Sequence, residues 1–68
     1  MEAYQERFKK EFYELEARID KLKSMLGNWD HLEFEPTCSY DLLHAQLCAM
    51  VSYLDILKIR ASIEKVEV

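Results

Sequence analysis

The chain has 68 residues, half of them apolar and 32% charged, with one glycine and one proline, which excludes disordered, collagen-like and glycine-rich classes. At this length a single core barely offsets an ordering entropy of roughly 1.5 kcal/mol per residue, so such chains recruit staples, metals or copies of themselves. The net charge of −4 arises from Asp30, Glu33, Glu35 and Asp41, because residues 1–26 and 42–68 are each balanced, and no basic stripe is left to bind duplex nucleic acid.

One domain is expected over residues 1–68, with a helix at 2–26, a connector at 27–39 and a second helix at 40–64. In the first helix Tyr4, Phe8, Phe12, Leu15, Ile19, Leu22 and Leu26 alternate spacings of four and three, which aligns them on one narrow stripe. Between them, Arg7 with Glu11 and Glu14 with Arg18 stand at helical-neighbour spacing, as on a solvated flank. Gly27 and Asn28 tolerate the left-handed conformation and predict how this helix stops.

The connector holds Trp29, Leu32 and Phe34, which predicts that it folds back on the helices, while Pro36 disfavours helix at Glu35. Thr37 or Ser39 can cap the second helix, and Asp41 suits the positive end of its dipole. That helix places Leu43, Leu47, Met50, Leu54, Leu57 and Ala61 on a seam matching the first. It also carries Leu42, Ala45, Ala49, Ile56 and Ile63 on a face rotated by about 120 degrees. A hairpin partner covers only one of these faces. The other would leave an apolar stripe larger than monomers usually expose, so the expected fold is all-α: an antiparallel two-helix hairpin assembling into a homo-oligomeric helical bundle. The tail after Ala61 is expected to fray.

There is no run of about 20 apolar residues and no signal-like segment, so a cytoplasmic protein without a membrane partner is expected. In that reducing setting Cys38 and Cys48 are expected as buried or half-buried thiols, not a disulfide. His44 and Cys48, four apart, could share zinc with Cys38 and His31, but the spacing matches no standard finger or ribbon, so packing is preferred and no metal or cofactor is expected. No phosphate-binding glycine loop and no set of nucleophile, base and orienting acid occurs, so neither catalytic residues nor an enzyme are expected.

Gln46, Tyr53 and Arg60 recur every seven residues and stack along one edge of the second helix. Guanidinium, phenol and amide together make a nucleotide-sized polar surface: arginine binds phosphate bidentately, tyrosine stacks, and glutamine reads hydrogen-bonding edges. The plainer alternative, favoured on residue type alone, is that Arg60 pairs with Glu64 or an acid of the first helix and Tyr53 packs at the boundary. Trp29 beside His31 is open to two readings as well, a lid that stacks on a ligand or a plug over the open end of the hairpin.

The run Arg7-Phe8-x-x-Glu11-Phe12-x-Glu14-Leu15-x-x-Arg18-Ile19-x-Lys21-Leu22, followed by Leu42-Leu43-x-x-Gln46-Leu47-x-Ala49-Met50-x-x-Tyr53-Leu54-x-Ile56-Leu57-x-x-Arg60, resembles the short, crAss-phage-related helical proteins of bacteriophage and prophage genomes. In size and hairpin plan this group is similar to the phage sponges that oppose CBASS and Thoeris immunity. The resemblance implies a homo-oligomer in the cytoplasm of an infected bacterium. It would bind a nucleotide immune signal, of the cyclic ADP-ribose type or a cyclic dinucleotide, between subunits without cleaving it. The expected ligand-binding residues are Arg60 with Arg7 or Arg18 for phosphate, Tyr53 and Trp29 for stacking, and Gln46 with His31 for polar readout. The rival is a helical interaction adaptor whose second apolar face docks on a host or phage protein.

Overall fold

The computed structural model describes residues 2–68; Met1, part of the expected domain, lies outside them. Two long helices, α1 (Glu2–Gly27) and α2 (Tyr40–Glu64), pack against each other as an all-helical hairpin 45 Å long and 16–18 Å across. A single 3-10 turn, Trp29–His31, lies between them.

The heptad seams make the core. Phe8, Phe12, Leu15 and Ile19 of α1 are buried in one cluster with Leu54, Leu57 and Ala61 of α2, and Leu47 and Met50 pack against it half-buried. Toward the connector the seam opens: Leu22, Leu43, Leu47 and Met50 remain half-exposed, although Leu26 is buried. Tyr4, the first residue of the α1 stripe, lies at the end of the seam, 41% exposed, and its hydroxyl reaches Glu64 at the far end of α2.

The helix ends differ from expectation in two places. Gly27 does not adopt a left-handed stop, and Asn28 sits at φ −115, ψ 26. The Asn28 backbone N–H is shared between the carbonyls of Ser24 and Met25, its side-chain amide donates to Ser24, and α1 runs on into the 3-10 turn. Tightening of the last turn satisfies the final carbonyls without a positive φ. The second difference is the tail. Lys65 takes φ 57, ψ 44, its N–H and that of Val66 both donate to the Ala61 carbonyl, and Val66 is buried in the core beside Ala61. The Val66 bond is the 6→1 bond of a Schellman motif, the Lys65 bond is the 5→1 bond of a left-handed cap, and burial of Val66 beside Ala61 holds the tail that was expected to fray. The start of α2 is simpler: Ser39 Oγ accepts from the Leu42 N–H at 3.2 Å, a cap worth about 1 kcal/mol.

In the connector Trp29 and Leu32 are half-buried, whereas Phe34 points to solvent. Both cysteines are free and exposed, which corrects the expectation of buried thiols: position 48 falls off the inward seam, and helical phase outweighs the preference of cysteine for interiors.

The outer face of α2 is uncovered in the single hairpin. Leu42, Ile56, Ile59 and Ile63 are each more than half exposed, and with Ala45, Ala49 and Ser52 they complete a second stripe of alternating three and four spacing. By length and composition α2 is apolar enough to cross a membrane although it holds no continuous apolar run, because its apolar residues are divided between two faces.

Candidate functional site

Antiparallel packing sets one flank of α1 beside the polar row of α2. On α1, Arg7, Lys10, Glu14 and Arg18 follow spacings of three, four and four and share a face. On α2, residues seven apart advance about 10.5 Å along the axis, so Gln46, Tyr53 and Arg60 meet different levels of α1.

Two adjoining grooves result. The first, about 400 Å³, is lined by Arg7, Lys10, Glu11, Glu14, Leu15, Arg18 and Tyr53. The second, about 300 Å³, is lined by Arg18, Lys21, Leu22, Met25, Gln46 and Met50, and Arg18 belongs to both. Four of the sequence-derived residues, Arg7, Arg18, Gln46 and Tyr53, therefore come together on one flank. Three cations face two carboxylates in the first groove, and the phenol of Tyr53 donates to Glu11. Glu11 is thus engaged across the helices, and among the described residues it forms no ion pair with Arg7.

The ion pairs in the groove are loose. Glu14 lies 4.0 Å from both Lys10 and Arg18, with all three side chains at least half exposed. Such pairs contribute between nothing and about 1 kcal/mol, so an incoming anion displaces them at little cost. Lys10, Glu11 and Glu14 were not singled out as site residues, although the three-four-four spacing from Arg7 to Arg18 carried the signal.

Arg60 has a different setting. Its Nε donates to Glu64 at 3.1 Å, its Nη2 donates to the Tyr4 hydroxyl at 3.0 Å, and the guanidinium lies 5.1 Å from the centroid of the Phe8 ring. The Tyr4 hydroxyl in turn donates to Glu64, which closes a ring of three groups joining the start of α1 to the end of α2. The plainer reading of Arg60, pairing with Glu64, is therefore present in the single hairpin. Trp29 and His31 stand at the other end of the rod and line neither groove; Trp29 meets the Tyr40 ring edge-on at 5.5 Å.

The ring has an electrostatic signature. The Tyr4 hydrogen bond, together with the hydrogen bond and charge of Arg60, holds the Glu64 carboxyl below its ordinary value of 4.5, and the Arg60 guanidinium is raised, first by Glu64 and then by Tyr4. A carboxylate depressed in the folded state stabilises it fully above its unfolded value, and this contribution disappears as pH falls through the lower folded value. A carbon-detected NMR titration of Glu64 is accordingly expected to show a midpoint below 4.5, and Tyr4→Phe and Arg60→Ala each to move it upward. A midpoint at or above the ordinary value in the parent protein would contradict the ring.

Among the described residues, no three of His, Cys, Asp and Glu converge as a metal set. A family model described as Sequestin matches residues 2–63. No curated protein and no solved structure matches the chain.

Proposed function

Because the chain belongs to the Sequestin family, we propose that it is a sponge: a phage-encoded protein that binds a nucleotide immune signal and holds it without cleavage. The family name itself denotes sequestration of a molecule. The observation that carries the nucleotide reading is the cationic groove, where Arg7, Lys10 and Arg18 surround a tyrosine ring beside a carboxylate. Arginines hold a phosphate or pyrophosphate, Tyr53 offers a stacking face, and Glu11 accepts hydrogen bonds from ribose hydroxyls. Ligands of the cyclic ADP-ribose type and cyclic dinucleotides both present this chemistry.

In this reading the mechanism is mass action. The protein lowers the free signal below the threshold of its effector, and a 68-residue subunit supplies many sites for little synthesis. Copies of the hairpin associate through the outer stripe of α2, and Trp29 and His31 reach a ligand only when contributed by a neighbouring copy. The interaction-adaptor reading rests on the same stripe, with a partner helix in place of a second copy.

Melting and calorimetry with a panel of cyclic ADP-ribose isomers and cyclic dinucleotides separate these readings. A sponge at a ligand concentration of 100 Kd gains about 2.7 kcal/mol of stability, whereas an adaptor responds only to its protein partner. Arg18→Ala is expected to weaken binding by about tenfold or more while the helical spectrum is unchanged, since one charge-assisted contact contributes roughly 1.5–3 kcal/mol. Recovery of intact ligand after denaturing the complex distinguishes storage from hydrolysis. The absence of any melting shift or heat across the panel would reject the sponge.

A further inference from the structure

The outer flank of α2 carries a pair of side chains that sequestration does not use. His44 and Cys48 are one turn apart, both exposed, with Cys48 Sγ 3.9 Å from His44 Nδ1. We propose that they form a chelating pair for a thiophilic divalent cation, of which zinc is the type.

The geometry is close to that of a bound ion. Zinc takes sulfur at about 2.3 Å and imidazole nitrogen at about 2.0–2.1 Å, and a tetrahedral angle between them sets the two donors about 3.6 Å apart. The observed separation needs to close by about 0.3 Å, within the reach of a small χ1 adjustment on a rigid helix. The imidazole is already oriented: it lies nearly parallel to the Tyr40 ring, 13° between planes and 6.1 Å between centroids, and Tyr40 is braced edge-on by Trp29.

Ligand chemistry selects the ion. One thiolate and one imidazole favour zinc, cobalt or nickel, whereas magnesium and calcium demand oxygen donors. On binding, the Cys48 thiol releases its proton to water and the resulting thiolate forms the metal–sulfur bond, while His44 donates the lone pair of Nδ1 as neutral imidazole. With only two protein donors the remaining positions stay open to water or to an external ligand. At 100 degrees per residue His44 and Cys48 lie on the side of α2 opposite Gln46 and Tyr53, so the pair is independent of the groove.

Cobalt titration of the reduced full-length protein tests the proposal. One equivalent per chain is expected to produce a thiolate-to-cobalt charge-transfer band in the near ultraviolet and to quench Trp29, the single tryptophan of the chain. Zinc should displace the cobalt, and magnesium should do nothing. Loss of outer-shell partners alone typically costs 10–100-fold in metal affinity, so His44→Ala and Cys48→Ala should each weaken binding by at least about tenfold, with helix content preserved because both side chains are exposed. Cys38→Ala should retain the band. Absence of the band at stoichiometric cobalt, or a band that survives in Cys48→Ala and disappears in Cys38→Ala, would overturn the proposal.

Discussion

Leu57→Ala is expected to leave the hairpin largely unfolded at room temperature. Among the described residues Leu57 is the one large side chain that is completely enclosed, at 0% exposure, in the cluster where Phe8 and Phe12 meet Leu54 and Ala61. Removing three carbons there forfeits their transfer free energy and leaves a cavity that two straight helices close only partly, a loss of about 2–5 kcal/mol. A core of this size rarely supplies more than about 3–5 kcal/mol, so one substitution is comparable with the whole stability. Urea unfolding followed by circular dichroism at fixed protein concentration measures the effect, with Glu16→Ala on the solvated face of α1 as a control expected to shift stability by less than about 0.5 kcal/mol. An unchanged midpoint for Leu57→Ala would mean that the two seams do not meet at this point.

Those seams were legible because a period of alternating threes and fours can face only one way on a helix. The stripe from Phe8 to Ile19 and the run Leu54, Leu57, Ala61 became the core, and Ser39 became the cap, as local chemistry implied. What periodicity does not contain is the register of α1 against α2. Register decides that Tyr4 reaches Glu64 and Arg60 while Tyr53 reaches Glu11, so the row of Gln46, Tyr53 and Arg60 is divided between a groove and a clamp. Local signals at the two helix ends were also overridden, by a 3-10 continuation at one and by tertiary burial at the other. Gly27 offered a left-handed stop that the chain did not take, and Lys65 adopted one with no glycine to ease it, because Val66 gains a place in the core. The strain of a left-handed lysine, about 1 kcal/mol, is smaller than the benefit of burying a valine.

The same comparison of magnitudes bears on Arg60. In the hairpin its guanidinium is held by one carboxylate, one phenol and one aromatic face. A phosphate that claimed Arg60 would have to displace Glu64 from a partner four residues away, whereas Arg7 is without an ion pair among the described residues and Arg18 has only a distant one. An anion would therefore displace less in the groove than at Arg60, and the ring at the end of the rod joins the two helices. Arg60→Ala should accordingly loosen the helix ends more than it weakens ligand binding.

The double substitution Ile56→Glu with Ile59→Glu is expected to abolish self-association and leave the hairpin folded. Both side chains are more than half exposed on the face turned away from α1, so charges there remain hydrated in the single hairpin. In an assembly they would be withdrawn from water opposite Leu42 or Ile63 of another copy, and an unpaired buried carboxylate costs several kcal/mol. The parent stripe has the opposite balance: covering its four large aliphatic side chains contributes about 1 kcal/mol or more each, and Ala45, Ala49 and Ser52 between them let a second helix approach closely. Sedimentation velocity should therefore show an oligomer for the parent chain and a single hairpin for the variant, with equal helix content per residue. If the ligand lies between copies, the variant should also lose nucleotide binding although every groove residue is intact. The length and apolarity of α2 supply the decisive control: a stripe made for a bilayer would bring the parent chain to lipid vesicles in flotation, and a stripe made for another copy would not. A parent protein that sediments as one folded hairpin at working concentration would remove the assembly, and the shared pocket with it.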